Sequence, residues 1–191
     1  MPFRSWWVPV FVIVLFMLVC QMVGPEWLRY DTRLVREGEW WRLLSAHWVH
    51  ANWIHFGLNS AGFILCVMLT GVRWSCWQWS WRIVILSGAI SAGLYLWQDQ
   101  LGWYVGFSGV LFGLFVLAAT ASLSEQRVMS SLLLGFIALK IGLEQYSSVN
   151  ITSSDLIGIP VLVDAHLYGV LSAVFLVIAQ WLFKYMNFLN T

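Results

Sequence analysis

The 191-residue sequence has few charged residues, since Asp, Glu, Lys and Arg make up 10% of it, against about 25% in an average soluble domain. The formal net charge is only +1, and the ten basic residues are scattered, so they form no patch for a nucleic acid. The three cysteines are an odd and widely spaced set, which indicates neither a disulfide framework nor a zinc knuckle. A disordered chain is also excluded, because disorder needs low hydrophobicity and high net charge.

The sequence is rich in apolar residues, which make up 60% of it, and it contains 14 Trp. A soluble domain of this length cannot bury so much apolar surface. We therefore expect a polytopic membrane protein of the all-α class, organised as one domain over residues 1–191. A membrane helix needs about 20 mostly apolar residues. The predicted spans, some of them short, are residues 6–23, 53–69, 83–97, 106–121, 128–143 and 160–183.

The charges between the spans predict the orientation in the membrane. Basic residues lie before the first span, in the connections after the second and fourth spans, and after the sixth span. They are Arg4, Arg73, Arg82, Arg127 and Lys184. The connections after the third and fifth spans carry Asp but no basic residue. By the positive-inside rule both termini are cytoplasmic. The long first connection, residues 24–52, balances its arginines with acidic residues and is expected outside.

Tryptophans lie at both predicted interfaces. Trp40, Trp41, Trp48 and Trp53 suggest that the first loop lies in the outer interface. At the opposite boundary an aromatic belt is predicted from Trp74, Trp77, Trp79 and Trp81. The first span is interpreted as a retained helix, because no small-residue cleavage site of a signal peptide follows it.

Polar residues inside predicted spans are costly and are therefore candidates for function, and four of them stand out. They are His55, Asn59, Ser108 and His166. His55 and Asn59 are four residues apart and share one helix face. In the predicted topology all four lie near the starts of spans two, four and six. They should therefore lie at a similar depth, close to the outer face.

Ser108 lies between glycines, in Gly106-Phe107-Ser108-Gly109, which permits a tight turn and a close helix approach. A serine at a helix start also has free backbone N–H groups and the positive end of the helix dipole beside it, which suits an oxyanion. Small residues on spans four and six could bring these helices together, namely Gly109, Gly113, Ala165, Gly169 and Ala173. If they meet, Ser108 faces His166, and serine beside a neutral histidine is a nucleophile with its general base.

Four motifs, in their order and spacing, resemble those of the rhomboid family of intramembrane serine proteases over nearly the whole chain. They are Glu39-Trp40-Trp41-Arg42, then His50 with His55-Phe56-Gly57-Leu58-Asn59, then Gly106-Phe107-Ser108-Gly109, and Ala165-His166-Leu167-Tyr168-Gly169. Each motif is weak alone, but four in register are specific. The resemblance implies a six-transmembrane-helix, rhomboid-like bundle with an interfacial first loop.

The resemblance also implies roles for individual residues. Ser108 would be the nucleophile and His166 the general base, a dyad with no required acid. His55, Asn59 and the Ser108 backbone N–H would form the oxyanion hole. Supporting roles fall to Gly106, Phe107, Gly109, Phe112, Gly169, Trp41, Arg42 and His50. Two of the residues depart from the family pattern, since Phe112 stands where many relatives carry Tyr and Ala173 where relatives often carry Gly.

The resemblance further implies the kind of substrate. The family cuts transmembrane segments near one membrane face, so the expected partners are transmembrane protein substrates and the lipid bilayer, with no cofactor, metal or nucleic acid. The short length and residues 50–55 resemble the rhombosortase branch, which is associated with bacterial exported proteins carrying a C-terminal Gly-Gly anchor segment. This implies a bacterial inner membrane, with the active site toward the periplasm. The alternatives are a general rhomboid protease and a non-catalytic rhomboid-like protein that binds or escorts membrane proteins.

The remaining ionisable residues have simpler interpretations. Lys140 and Glu144, four residues apart near the outer end of span five, are interpreted as a snorkelling ion pair. Asp164 is interpreted as a cap at a helix start rather than as a third catalytic residue. No carboxylate or Cys completes a metal cluster with His47 and His50, and His50 is interpreted as a hydrogen-bonding loop residue.

Overall fold

A computed structural model describes residues 7–146 and 154–189 of the chain. Six helices of 14 residues or more lie in this part of it. They are α1 (Trp7–Val23), α5 (Trp53–Thr70), α6 (Cys76–Trp97), α7 (Ser108–Ala121), α8 (Arg127–Tyr146) and α10 (Val163–Leu189). The connections hold the shorter helices α2 (Pro25–Leu28), α3 (Thr32–Arg36), α4 (Arg42–Ser45) and α9 (Ser154–Ile157), and the strands β1 (Tyr30–Asp31) and β2 (Trp103–Tyr104).

Four of the long helices, α5, α6, α8 and α10, are long and apolar enough to cross a membrane. Helices α1 and α7 are apolar but shorter, with 17 and 14 residues. The chain is therefore a mostly helical membrane protein, as predicted, while the count of six spans remains a prediction. Arg4, which contributed to the predicted orientation, lies outside the described residues.

Helix α6 begins at Cys76, seven residues before the predicted start of the third span at residue 83. A reciprocal pair of hydrogen bonds caps its first turn. The Ser75 N–H donates to Gln78 Oε1 at 2.8 Å, and the Gln78 N–H donates to Ser75 Oγ at 3.3 Å. These capping residues lie among tryptophans that were assigned to the membrane interface. Hydropathy alone therefore placed the start of this helix too late.

The predicted belt of tryptophans at this end is wrong for Trp79. Its side chain is buried, with 1% exposed, and its ring packs edge-on against Phe63 at 5.1 Å and Trp74 at 4.7 Å. Trp77, two residues earlier, is 75% exposed. Neighbouring tryptophans on one helix thus point in different directions, one into the bundle and one outward.

The long first connection is folded against the connection that follows α6. Strand β1 pairs antiparallel with β2, with Tyr30 opposite Tyr104 and Asp31 opposite Trp103. The Thr32 hydroxyl also donates to the Leu101 carbonyl. The all-α prediction missed this short strand pair. The pairing places both connections at one end of the bundle, which agrees with the predicted topology.

Helix α7 lies at the centre of the bundle and contacts α5, α6, α8 and α10. Its contact with α10 is made backbone to backbone, because a Cβ on Gly169 would lie 2.0 Å from the Gly109 carbonyl oxygen. One turn further along α7, a Cβ on Gly113 would lie 2.8 Å from the Gly169 carbonyl oxygen. The small residues therefore bring these two helices together, as the sequence predicted.

The outer helices expose apolar side chains. Helix α8 presents Leu132, Phe136 and Leu139, each at least 60% exposed, and α10 presents Phe175 and Trp181 in the same way. Since both helices are also long and apolar enough to cross a membrane, these exposed side chains fit a lipid environment. The protein is therefore an integral membrane protein.

Candidate active site

The starts of three helices bring His55, Ser108 and His166 together at one end of the bundle. Ser108 is the first residue of α7, and His166 lies in the first turn of α10. The Ser108 Oγ lies 2.9 Å from His166 Nε2, within hydrogen-bond distance. His55, in the first turn of α5, lines two cavities together with Ser108.

The turn before Ser108 depends on Gly106, which has φ of +123°. A Cβ at this position would lie 2.7 Å from His55 Cε1, so both backbone conformation and space require glycine. The Gly106 N–H donates to the Ala46 carbonyl at 3.0 Å, and its carbonyl accepts from the Tyr104 hydroxyl at 2.9 Å. These contacts fix the entry to α7 against the first loop, with the Phe107 side chain buried in the core.

His166 is held between α7 and α8. Only 4% of the residue is exposed. The Phe112 ring, one turn after Ser108 on α7, lies 4.7 Å from its ring centre at an angle of 45°. The phenylalanine that departs from the family pattern therefore packs on the imidazole and offers it no hydrogen bond.

A carboxylate lies behind His166, on the side away from Ser108. Glu144 Oε2 is 2.9 Å from His166 Nδ1, and Glu144 Oε1 is 2.5 Å from Lys140 Nζ. The ion pair of the sequence interpretation is present. However, the Glu144 side chain is fully buried and does not reach out to the interface. Sequence reasoning therefore missed this contact, although Glu144 lies near the same end of the bundle as the four candidate residues.

Asp164, two residues before His166, is used elsewhere. Its Oδ2 accepts a hydrogen bond of 2.6 Å from Gln98 Nε2 at the end of α6. This contact ties the start of α10 to the connection after α6. The contact of His166 Nδ1 is with Glu144 and not with this neighbouring acid.

The residues predicted for the oxyanion hole lie beside Ser108. Asn59 donates from Nδ2 to the His55 backbone carbonyl at 3.1 Å, and its amide keeps a second N–H. Both residues line a cavity of about 260 Å³ together with Ser108 and His166. Ser108 opens α7, so its backbone N–H belongs to the first turn, where helices lack internal acceptors.

His50 supports His55 from behind. The two rings meet edge-on with centres 5.0 Å apart, and His50 is fully buried. Its backbone bonds twice to the buried Gln21 amide, through N–H to Oε1 at 2.8 Å and through the carbonyl from Nε2 at 3.2 Å. Its ring nitrogens have no partner within the described part of the chain. Burial lowers the pKa of His50 to about 3, so the ring is neutral.

Arg42 holds the first loop together. Its buried guanidinium donates from Nε to Glu39 Oε2 at 2.6 Å and from Nη1 to the carbonyls of Glu26 and Arg29 at 3.1 and 2.9 Å. Trp41, beside it, is half exposed and makes a long contact of 3.5 Å from Nε1 to the Trp27 carbonyl. Of the predicted pair, Arg42 therefore makes most of the contacts that brace the loop.

A larger cavity of about 490 Å³ opens next to Ser108. It is lined by β2 with the residues around it (100–105) and by residues 157 and 159–162. The lining is largely apolar, and His55 and Ser108 lie on its wall. Ser108 and His55 thus line both cavities.

Fold and site together define a helical integral membrane protein with a serine–histidine pair at one end of its bundle. Residues 37–183, more than half of the chain, match the Rhomboid domain. The chain therefore belongs to the rhomboid family, whose members are generally intramembrane serine proteases that act on transmembrane substrates within the bilayer. No curated protein matches the chain.

Proposed function

We propose that this protein is an intramembrane serine endopeptidase that cleaves transmembrane anchors of other proteins. The observation that carries the proposal is the 2.9 Å contact between Ser108 Oγ and His166 Nε2, at the start of a central helix and on the wall of two cavities. A serine beside an accepting imidazole nitrogen is an activated nucleophile.

The proposed reaction begins when Ser108 Oγ attacks the carbonyl carbon of the scissile peptide bond, while its proton moves to His166 Nε2. The carbonyl oxygen then carries the negative charge of a tetrahedral intermediate. When the intermediate collapses, the C–N bond breaks and the departing amine takes the proton from Nε2. The acyl-enzyme that remains is hydrolysed by water, which His166 activates in the same way.

The negative charge of the intermediate needs donors aimed at it. Ser108, Asn59 and His55 all line the smaller cavity, and the proposed donors are the Ser108 backbone N–H, the second N–H of the Asn59 amide and the His55 ring. Removing one such donor costs about 10²–10³ in rate. The helix dipole of α7, which begins at Ser108, adds to the same stabilisation.

A transmembrane helix must unwind before its peptide bonds can be reached, because each carbonyl is hydrogen-bonded inside the helix. The larger cavity beside Ser108 can take an extended segment of this kind. We propose substrates whose anchors contain glycine near the cleaved end, as in C-terminal Gly-Gly anchor segments of the rhombosortase type. Glycine suits this role because it weakens a helix by about 1 kcal/mol relative to alanine.

The serine–histidine pair is tested by covalent labelling. The purified protein in detergent is treated with a fluorescent fluorophosphonate, and Ser108→Ala and His166→Ala are compared with it. Label on the wild type alone supports an activated serine with its base. Equal label on all three chains would place the reactive residue elsewhere. Absence of label and of reporter-helix cleavage in a folded sample would favour a rhomboid-like protein that binds or escorts membrane proteins without cutting them.

The substrate class is tested with two reporter proteins that differ only at the start of their transmembrane anchor. One carries Gly-Gly there, and the matched control carries Leu-Leu. Faster cleavage of the first, abolished by Ser108→Ala, supports the proposed anchor preference. Equal cleavage of both reporters would indicate a general rhomboid protease without this anchor preference.

Fusing a periplasmic reporter enzyme after residue 102 and after residue 124 tests the proposed outward orientation of the site.

A further inference from the structure

The surroundings of the Glu144 carboxylate, which lies behind His166, determine its charge and the direction in which its two oxygens point. Glu144 has a side chain with 0% exposure, and each of its oxygens has a close partner. Oε2 lies 2.9 Å from His166 Nδ1, and Oε1 lies 2.5 Å from Lys140 Nζ. Lys140 and Glu144 are four residues apart, so they lie side by side on one face of α8.

A buried carboxylate is unfavourable unless opposite charge and hydrogen bonds compensate it. Here the Lys140 ammonium supplies the positive charge, so His166 can stay neutral while Glu144 is ionised. An ionised carboxylate only accepts hydrogen bonds, so the proton of the neutral imidazole must be on Nδ1. Nε2 is then unprotonated and faces the Ser108 hydroxyl at 2.9 Å, the state that a general base requires.

We propose that Glu144 is a positioning residue that holds His166 in its base tautomer, and that Lys140 fixes the direction and charge of Glu144. The inference rests on the proposed protease function and replaces a two-residue site by a chain of four side chains. During attack, the proton of Ser108 moves to Nε2, and the imidazolium that forms is stabilised by the carboxylate at Nδ1. Glu144 stays ionised throughout this step and does not take up the proton.

The substitution Glu144→Gln tests the tautomer argument, because it keeps the shape and removes the charge. The Lys140 ammonium can only donate, so the amide oxygen must face Lys140 and the amide NH₂ must face His166 Nδ1. The imidazole then carries its proton on Nε2 and cannot accept from Ser108. We expect kcat on a reporter helix to fall about 10³–10⁴-fold, as on loss of the acid in soluble serine proteases, while KM changes less than about twofold.

Two further variants separate positioning from a structural role. Glu144→Asp keeps the carboxylate and should restore activity to within roughly tenfold to a hundredfold of wild type. Lys140→Met added to Glu144→Gln should raise kcat above that of Glu144→Gln alone, by about tenfold or more, because the amide can then rotate and accept from Nδ1–H. A merely structural ion pair predicts the opposite, since removing both partners would not restore the rate.

The matched control is Asp164→Asn, the same chemical change two residues from His166, on a carboxylate that bonds to Gln98. It should stay within about threefold of wild type. Thermal unfolding in detergent shows which variants are folded. A wild type that cleaves, with a folded Glu144→Gln variant of equal kcat, would overturn the positioning role and leave the protease function intact. A wild type that neither cleaves nor takes the label would overturn both. If Glu144→Gln does not fold, Glu144→Asp takes its place, and a folded Glu144→Asp variant that loses about 10³-fold or more in kcat would also overturn it.

Discussion

The contact between α7 and α10 sets the distance between Ser108 and His166, and Gly169→Ala tests this directly. The added Cβ would lie 2.0 Å from the Gly109 carbonyl oxygen and 2.8 Å from its carbonyl carbon. Non-bonded heavy atoms reach their best separation at about 3.5 Å or more. Since the neighbouring atoms are backbone, no side chain can rotate away, and the helices must separate by roughly 1 Å or more.

The expected size of the effect follows from this separation. Forcing extra volume into a packed contact costs about 1–3 kcal/mol, while Gly to Ala within a helix returns about 0.5–1 kcal/mol. A net loss of roughly 1–2 kcal/mol in the free energy of unfolding is expected. Ser108 adjoins Gly109, and His166 lies three residues before Gly169, so their 2.9 Å contact lengthens with the helix separation. A displacement of about 1 Å costs about 10²-fold in rate.

The assay compares Gly169→Ala with Gly135→Ala, a glycine of α8 where a Cβ would meet no described atom within 4 Å beyond the neighbouring backbone of its own helix. Thermal unfolding in detergent and cleavage of a reporter helix are measured for both. Gly135→Ala should be as stable as wild type or slightly more stable, with an unchanged rate. The reasoning is refuted if Gly169→Ala matches Gly135→Ala in both measurements, because the helices would then accommodate a methyl group without moving apart.

Three further predictions concern the loops around the site. Burial lowers the pKa of His47 to about 4 from 6.5, so the unfolded chain binds the proton first. The free energy of unfolding should therefore fall by on the order of 3 kcal/mol between pH 6.5 and pH 4. In His47→Gln, the free energy of unfolding should depend less steeply on pH over the same range. Gly106→Ala should lose about 10²-fold in cleavage rate, because its Cβ meets the His55 ring. Arg42→Met should cost about 2–4 kcal/mol and speed proteolysis of residues 24–52.

The sequence predicted well those features that depend on local pattern. Ser108 and His166 were identified from their place near span starts and from the small residues beside them, and the structure brings them to 2.9 Å. The contact of α7 with α10 was predicted for the same reason, since only Gly and Ala permit such a close approach. Their catalytic roles remain predictions, as do those of His55 and Asn59.

The features that sequence reasoning missed depend on how each helix is rotated. A lipid-facing side chain and a core-facing side chain are both apolar, so hydrophobic periodicity does not show which face of a membrane helix points inward. For this reason Trp79 was assigned to the interface, although only 1% of it is exposed. The strands β1 and β2 were missed because two residues each carry no periodic pattern.

Composition alone determined that this chain lies in a membrane, because its apolar surface exceeds what a fold of this size can bury. The motifs predicted the family, since four short patterns occur in one order and spacing, and the match to the Rhomboid domain confirms it. Only the tertiary structure decided that Glu144 faces His166. The rotation of α8 about its axis turns the carboxylate inward rather than toward the interface, and that rotation is set by packing against α7 and α10.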